Sequence, residues 1–186
     1  MDATVHAFLE AADYAGSLLA LPTMREAWES PSALPRMTVG AISGHLLLVV
    51  RRVDKHLDET EPIEGATPAT YRWLRVENEE DLDHAEHRQV RDQADHVAAW
   101  GWSAVQAAYA DRIEKLTLRL AGRLPSTVGI GAGIMDFDTY LKTRVIELLV
   151  HGDDLAVSVS IQPRRMPTGA ATMAIGILVE AARCIH

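Results

Sequence analysis

The chain has 186 residues, 48% of them hydrophobic and 24% charged, with a formal net charge of −8 at neutral pH. That suits one folded domain over 1–186 with a substantial core, and the acidic balance argues against unaided nucleic-acid binding, since phosphate contacts need a basic surface. The single cysteine, Cys184, rules out an internal disulfide and a multi-cysteine zinc site.

The first residues lack a basic and then apolar leader, so no signal peptide is expected and a cytoplasmic setting fits. The longest apolar runs, Leu46 to Val50 and Ala174 to Val179, are too short to span a membrane.

Residues 2–20 read as a first helix, with Asp2 as N-cap and Val5, Phe8, Leu9, Ala12, Ala15 and Leu19 on one face. Pro22, Pro31 and Pro35 make 21–37 a loop with a short turn around Arg25–Trp28. Thr38 caps a second helix reaching about Leu57, with Val39, Ile42, Leu46, Val49, Val50 and Val53 as its core face and His45 at the edge of that face. A long connection over 58–76 follows. The segment Glu77–Asp95 then carries eight carboxylates against two arginines. Its charge density predicts a solvated face rather than a second metal site at His84 and His87. We read 79–122 as a third helix, bent or broken at Gly101, with Val105, Ala108, Ile113, Leu116 and Leu120 on its buried face. The glycine-rich run 125–135 includes a short extended piece over 128–134. It lacks the lysine and the strand–helix context of a phosphate loop. Residues 170–183 form a last helix.

The stretch between them, over 137–161, holds no proline and reads as one helix of about six turns. Tyr140, Thr143, Arg144, Glu147, His151, Asp154 and Ser158 fall within an arc of about 100°. Leu141, Val145, Ile146, Leu148, Leu149, Val150, Leu155 and Val157 lie outside it, and Lys142 and Asp153 mark a wet edge on the opposite side. A polar stripe between apolar flanks is expected to face inward. Buried Arg, Glu, His and Asp are costly unless they pair with each other or hold a metal. Glu147 and His151, at i and i+4, can reach one ion, and His45 is the best third donor because it alone lies mid-helix beside a core face. Two imidazoles with one carboxylate suit Zn²⁺, Ni²⁺ or Fe²⁺ and leave positions for water or substrate. A buried Glu–His hydrogen bond beside an unrelated core histidine is the alternative.

Two segments carry a resemblance. Thr38-Val-Gly-Ala-Ile-Ser-Gly-His45-Leu and Thr143-Arg-Val-Ile-Glu147-Leu-Leu-Val-His151-Gly-Asp-Asp154-Leu resemble the metal-binding domain of mycothiol-dependent maleylpyruvate isomerases, within the wider DinB/YfiT-like metalloprotein group. The resemblance implies an all-α, DinB-like four-helix bundle, here with an additional C-terminal helix. It implies His45, Glu147 and His151 as ligands of one ion, usually zinc. It extends over the first domain of those isomerases, which carry a further α/β domain.

Around the ligands, Asp154 can orient a ligand imidazole. Arg144 can bind a substrate carboxylate or pair with Glu147 or Asp154. Tyr140 can line the mouth of the site or pack. The expected activity is metal-dependent activation of a low-molecular-weight thiol for transfer to an electrophile or for isomerisation; the resemblance implies mycothiol as that thiol, with bacillithiol or glutathione as alternatives. Cys184 is read as a packing residue, so the thiol comes from a cofactor. Hydrolysis by activated water, Fe²⁺ oxygenation and a non-enzymatic metal-binding bundle are the alternatives. The partners expected are small molecules, without nucleic acid or membrane, and a homodimer is compatible with this reading.

Overall fold

The computed structural model describes residues 2–58, 83–130, 133–162 and 165–184, with the side chains at 181 and 184 outside that description. Their regular structure comprises α1 (Ala3–Leu19), α2 (Pro22–Glu26), α3 (Val39–His56), α4 (Ala85–Ala98), α5 (Trp102–Arg119), β1 (Thr127–Ile130), β2 (Gly133–Asp136), α6 (Phe137–Ser158) and α7 (Thr168–Cys184). The fold is mostly helical, and β1 and β2 add one small antiparallel pair.

Three long helices start on side-chain caps. Asp2 Oδ1 accepts from the Thr4 amide at 2.7 Å, Thr38 Oγ1 from the Ala41 amide at 3.0 Å, and Asp136 Oδ1 from the Thr139 amide at 2.7 Å. Each cap satisfies an amide the helix cannot, which contributes about 1 kcal/mol. Helix α1 packs on α6, α6 on α3, α3 on α5 and α5 back on α1, so four helices close a ring. Helix α4 packs on α3, and α7 on α6 and α1. Phe8 and Ala12 of α1, Ile42, Leu46 and Val50 of α3, Leu116 of α5 and Leu148 and Leu155 of α6 are all sealed from solvent inside this arrangement. Burying each of the larger ones stabilises the fold by about 1.5–3 kcal/mol. Asp54 of α3 adds a polar tie to α5 by accepting from both Arg112 and Arg119.

Several boundaries differ from the sequence reading. Of the two outcomes expected at Gly101 within 79–122, a bend or a break, the structure takes the break, and Gly101 adopts φ 83° between α4 and α5. Only glycine takes that backbone without a Cβ penalty. Helix α4 starts at Ala85, where the His84 ring accepts from the Glu86 amide at 3.4 Å, and 79–82 lie outside the described residues. Of the connection expected over 58–76, all but Asp58 also lies outside them. The proline-rich loop holds a true short helix, α2, with Pro22 at its first turn and Met24 and Trp28 buried. Helix α6 stops at Ser158 rather than 161. Ser160 takes φ 54°, the Ser160 amide donates to Val157 O at 3.1 Å, and the Ile161 amide donates to Ala156 O at 3.0 Å. That is a Schellman stop built without the usual glycine.

The apolar flanks of α6 need correction too. Val150 and Val157 are 45% and 60% exposed, so the wet edge extends from the partly exposed Lys142 and Asp153 to the border of the polar stripe. The physical reason is that α1, α3 and α7 cover the other sides of α6. Among the described residues, no helix is long and apolar enough to cross a membrane.

Candidate metal centre

Two polar stripes face each other across the α3–α6 contact. On α3, His45, Arg52 and His56 are spaced by seven and four residues, which returns each to the same helix face. On α6, Tyr140, Thr143 and Arg144 are buried, while Glu147, His151, Asp154 and Ser158 are partly exposed. The stripe therefore points inward at its N-terminal end and opens towards solvent further along. The helices run in opposite directions, since His45 meets Glu147 whereas the His56 ring stands edge-on to Tyr140, with centroids 4.8 Å apart.

The centre of the contact is one carboxylate oxygen. Glu147 Oε2 lies 3.0 Å from His45 Nε2 and 3.3 Å from His151 Nε2. The two imidazoles stand at 87° to each other with centroids 4.9 Å apart. His151 turns its other nitrogen, Nδ1, to Asp154 Oδ2 at 2.9 Å. The remaining Glu147 oxygen, Oε1, lies 3.7 Å from Arg144 Nη2. The Arg144 Nε donates to Thr143 Oγ1 at 2.9 Å, the Thr143 hydroxyl donates to Tyr140 O at 2.5 Å, and the guanidinium lies 5.1 Å from the Tyr140 ring centre.

Glycines beside both histidines set this geometry. A Cβ on Gly44 would stand 2.5 Å from Ala94 O, so α4 presses its backbone directly against α3 next to His45. A Cβ on Gly152 would stand 2.9 Å from Tyr14 Cε1, so α1 seats against α6 next to His151.

The charges follow from this packing. Burial opposes ionisation of Glu147, but hydrogen bonds to His151 and His45 and the Arg144 charge outweigh it and hold its carboxyl well below the ordinary value. Burial lowers His45 and keeps it neutral, against the pull of Glu147. His151 goes the other way. Burial disfavours its cation, yet hydrogen bonds to Asp154 and Glu147 raise its pKa to about 9.

Whether these residues fit a metal can be tested on distances. Ligands about 2.1 Å from a tetrahedral ion stand roughly 3.4 Å apart. The two Oε2–Nε2 separations are 3.0 and 3.3 Å, slightly contracted as direct hydrogen bonds require. The three donor atoms lie within 4.8 Å of one another, and among the described residues no other such group of His, Cys, Asp and Glu occurs. The donor set, two imidazoles and a carboxylate, is one that divalent zinc, nickel and iron accept. Asp154 also stands where a partner of a ligand imidazole belongs. His45 Nδ1 is buried and finds no partner among the described residues.

His45, Glu147 and His151 thus come together, Arg144 and Asp154 touch them through Glu147 and His151, and Tyr140 joins through Arg144 and His56. The sequence reading missed three participants. His56, eleven residues after His45 and therefore on the same helix face, is absent from the predicted stripe although its ring meets Tyr140. Arg52 lies on that same face and donates to Gln93 Oε1 at 2.8 Å. Thr143 was placed in the stripe without its role as the anchor of Arg144. On α4, Glu86, Asp92 and Asp95 are exposed, in keeping with a solvated face. No family model, curated protein or solved structure matches the chain.

Proposed function

We propose that the chain is a metal-dependent enzyme in which α1, α3, α5 and α6 form a DinB-like four-helix bundle with α7 added to it. His45, Glu147 and His151 would hold one divalent ion, Zn²⁺ ahead of Ni²⁺ or Fe²⁺. The observation that carries the reading is the single oxygen Glu147 Oε2, set between two imidazole nitrogens at 3.0 and 3.3 Å. When bound, the ion would lower the pKa of a low-molecular-weight thiol, mycothiol foremost, and supply it as thiolate for transfer to an electrophile or for isomerisation. The chain's own residues then have definable tasks. Asp154 fixes the His151 ring by accepting from Nδ1, which directs Nε2 to the ion. The buried Arg144 cation balances Glu147, and Tyr140 and His56 wall the inner end of the stripe.

The test is spectroscopic. Co²⁺-loaded protein titrated with mycothiol should develop an intense sulfur-to-metal charge-transfer band that the His45→Ala variant lacks. If mycothiol, bacillithiol and glutathione all fail to produce it, the thiol reading falls. One observation favours a second reading. The His151 imidazolium between Glu147 and Asp154 is already a complete charge network, as in a purely structural bundle. Purified protein devoid of stoichiometric metal on elemental analysis, and unable to take any up, would select that reading.

A further inference from the structure

Glu147 has two oxygens, and the structure gives them different neighbours. Oε2 faces His45 and His151, whereas Oε1 faces the Arg144 guanidinium. We infer that Arg144 is a positioning residue that holds Glu147 to one-oxygen coordination and so keeps a coordination position open for an exogenous ligand. The inference rests on the metal reading above. Three single-atom donors leave one vertex of a tetrahedral ion free. A carboxylate that swings to present both oxygens fills it.

The side chain suits that task. Its guanidinium is permanently charged and planar, so it attracts one carboxylate oxygen from a fixed direction. It is not free to follow Glu147, because Arg144 is 8% exposed, its Nε donates to Thr143 Oγ1, and its face lies over Tyr140. Thr143 is fixed in turn, being fully buried with its hydroxyl committed to Tyr140 O. Residues 140, 143, 144 and 147 thus form a chain of contacts along one face of α6. It starts at a backbone carbonyl and ends on the carboxylate oxygen turned away from the histidines.

The experiment uses the whole chain loaded with Co²⁺, with azide as a small anionic probe of the open position. Four-coordinate Co²⁺ absorbs visible light more strongly than five- or six-coordinate Co²⁺. Arg144→Met should therefore lose at least about half of the visible absorption, and its azide affinity should fall about 10–100-fold, as for other changes behind a ligand. Arg144→Lys, which keeps the charge but loses the planar fork, should recover only part of both. Thr143→Val keeps the arginine and removes its anchor, so it should shift the spectrum the same way by less; it also serves if Arg144→Met does not fold by circular dichroism. A folded Arg144→Met or Thr143→Val whose spectrum superimposes on the wild type overturns the inference, as does full recovery by Arg144→Lys, which would make Arg144 a simple counter-charge. Failure of the wild type to bind Co²⁺ at all instead refutes the metal reading beneath it.

Discussion

Raising the pH of the metal-free protein through 9 removes a proton that competes with a metal ion at His151. Burial disfavours the imidazolium, but Asp154 and Glu147 raise its pKa from 6.5 to about 9. A ligand histidine must be neutral. At pH 7 the cation outnumbers the neutral ring by about 100 to 1, so apparent metal affinity should be about 100-fold below its value above pH 9. That is about 3 kcal/mol, spread as roughly tenfold per pH unit from pH 7 to 9. His45, already held neutral, adds nothing there. The same proton affects folding with a definite sign. A pKa raised in the folded state stabilises fully below 6.5 and loses that stabilisation as pH rises through about 9. The contribution is about 3 kcal/mol, so the melting temperature of metal-free protein should fall over that window. Calorimetric titration of metal into protein, in buffers of different ionisation enthalpy, counts the protons. Close to one per ion is expected at pH 7.5, and ionisation of bound water can only add to it. Release below about half a proton, or an affinity constant between pH 7 and 9, would refute the assignment of His151 as a charged ligand-in-waiting.

Glu147→Ala should abolish tight metal binding, whereas Asp154→Ala should weaken it about 10–100-fold by freeing the His151 ring, both read by competition with a chelating dye. Equal losses would make Asp154 itself a ligand. Gly44→Ala should destabilise the fold by about 1–3 kcal/mol in urea titrations, because the new Cβ would meet Ala94 O at 2.5 Å. Gly176→Ala, in α7 with nothing within 4 Å, should instead stabilise by about 0.5–1 kcal/mol, and a loss there would contradict the open surface described.

The sequence carried the helices best where periodicity and caps agreed. Asp2 and Thr38 mark the starts of α1 and α3, and the buried face of α3 can be read from its apolar spacing alone. The inward stripe of α6 was legible for the same reason, since Tyr140, Thr143 and Arg144 share an arc that apolar neighbours flank. Signals that depend on tertiary contact were not legible. Nothing local announces that Ser160 will take a left-handed turn, because a helix stop of that kind usually shows a glycine. Val150 and Val157 look like core residues until the neighbouring helices are known to lie elsewhere. The match between stripes, which brings His56 to Tyr140, needs the antiparallel register of α3 against α6, which no single helix encodes.

The glycines beside the two histidines have a consequence for how such a centre can change over time. Helices α1 and α4 supply none of the three donors, yet Tyr14 and the Ala94 carbonyl fill the space where side chains at 152 and 44 would stand. They act as gauges that fix how far apart the donor-bearing backbones lie. A lineage that acquires bulk at 152 must surrender it at 14, and one that acquires bulk at 44 must move a whole helix, since a carbonyl cannot be trimmed. The two halves of the centre are therefore unequal in their freedom. The His151 side can be retuned by paired exchanges of side chains, while the His45 side is locked to the path of the α4 backbone.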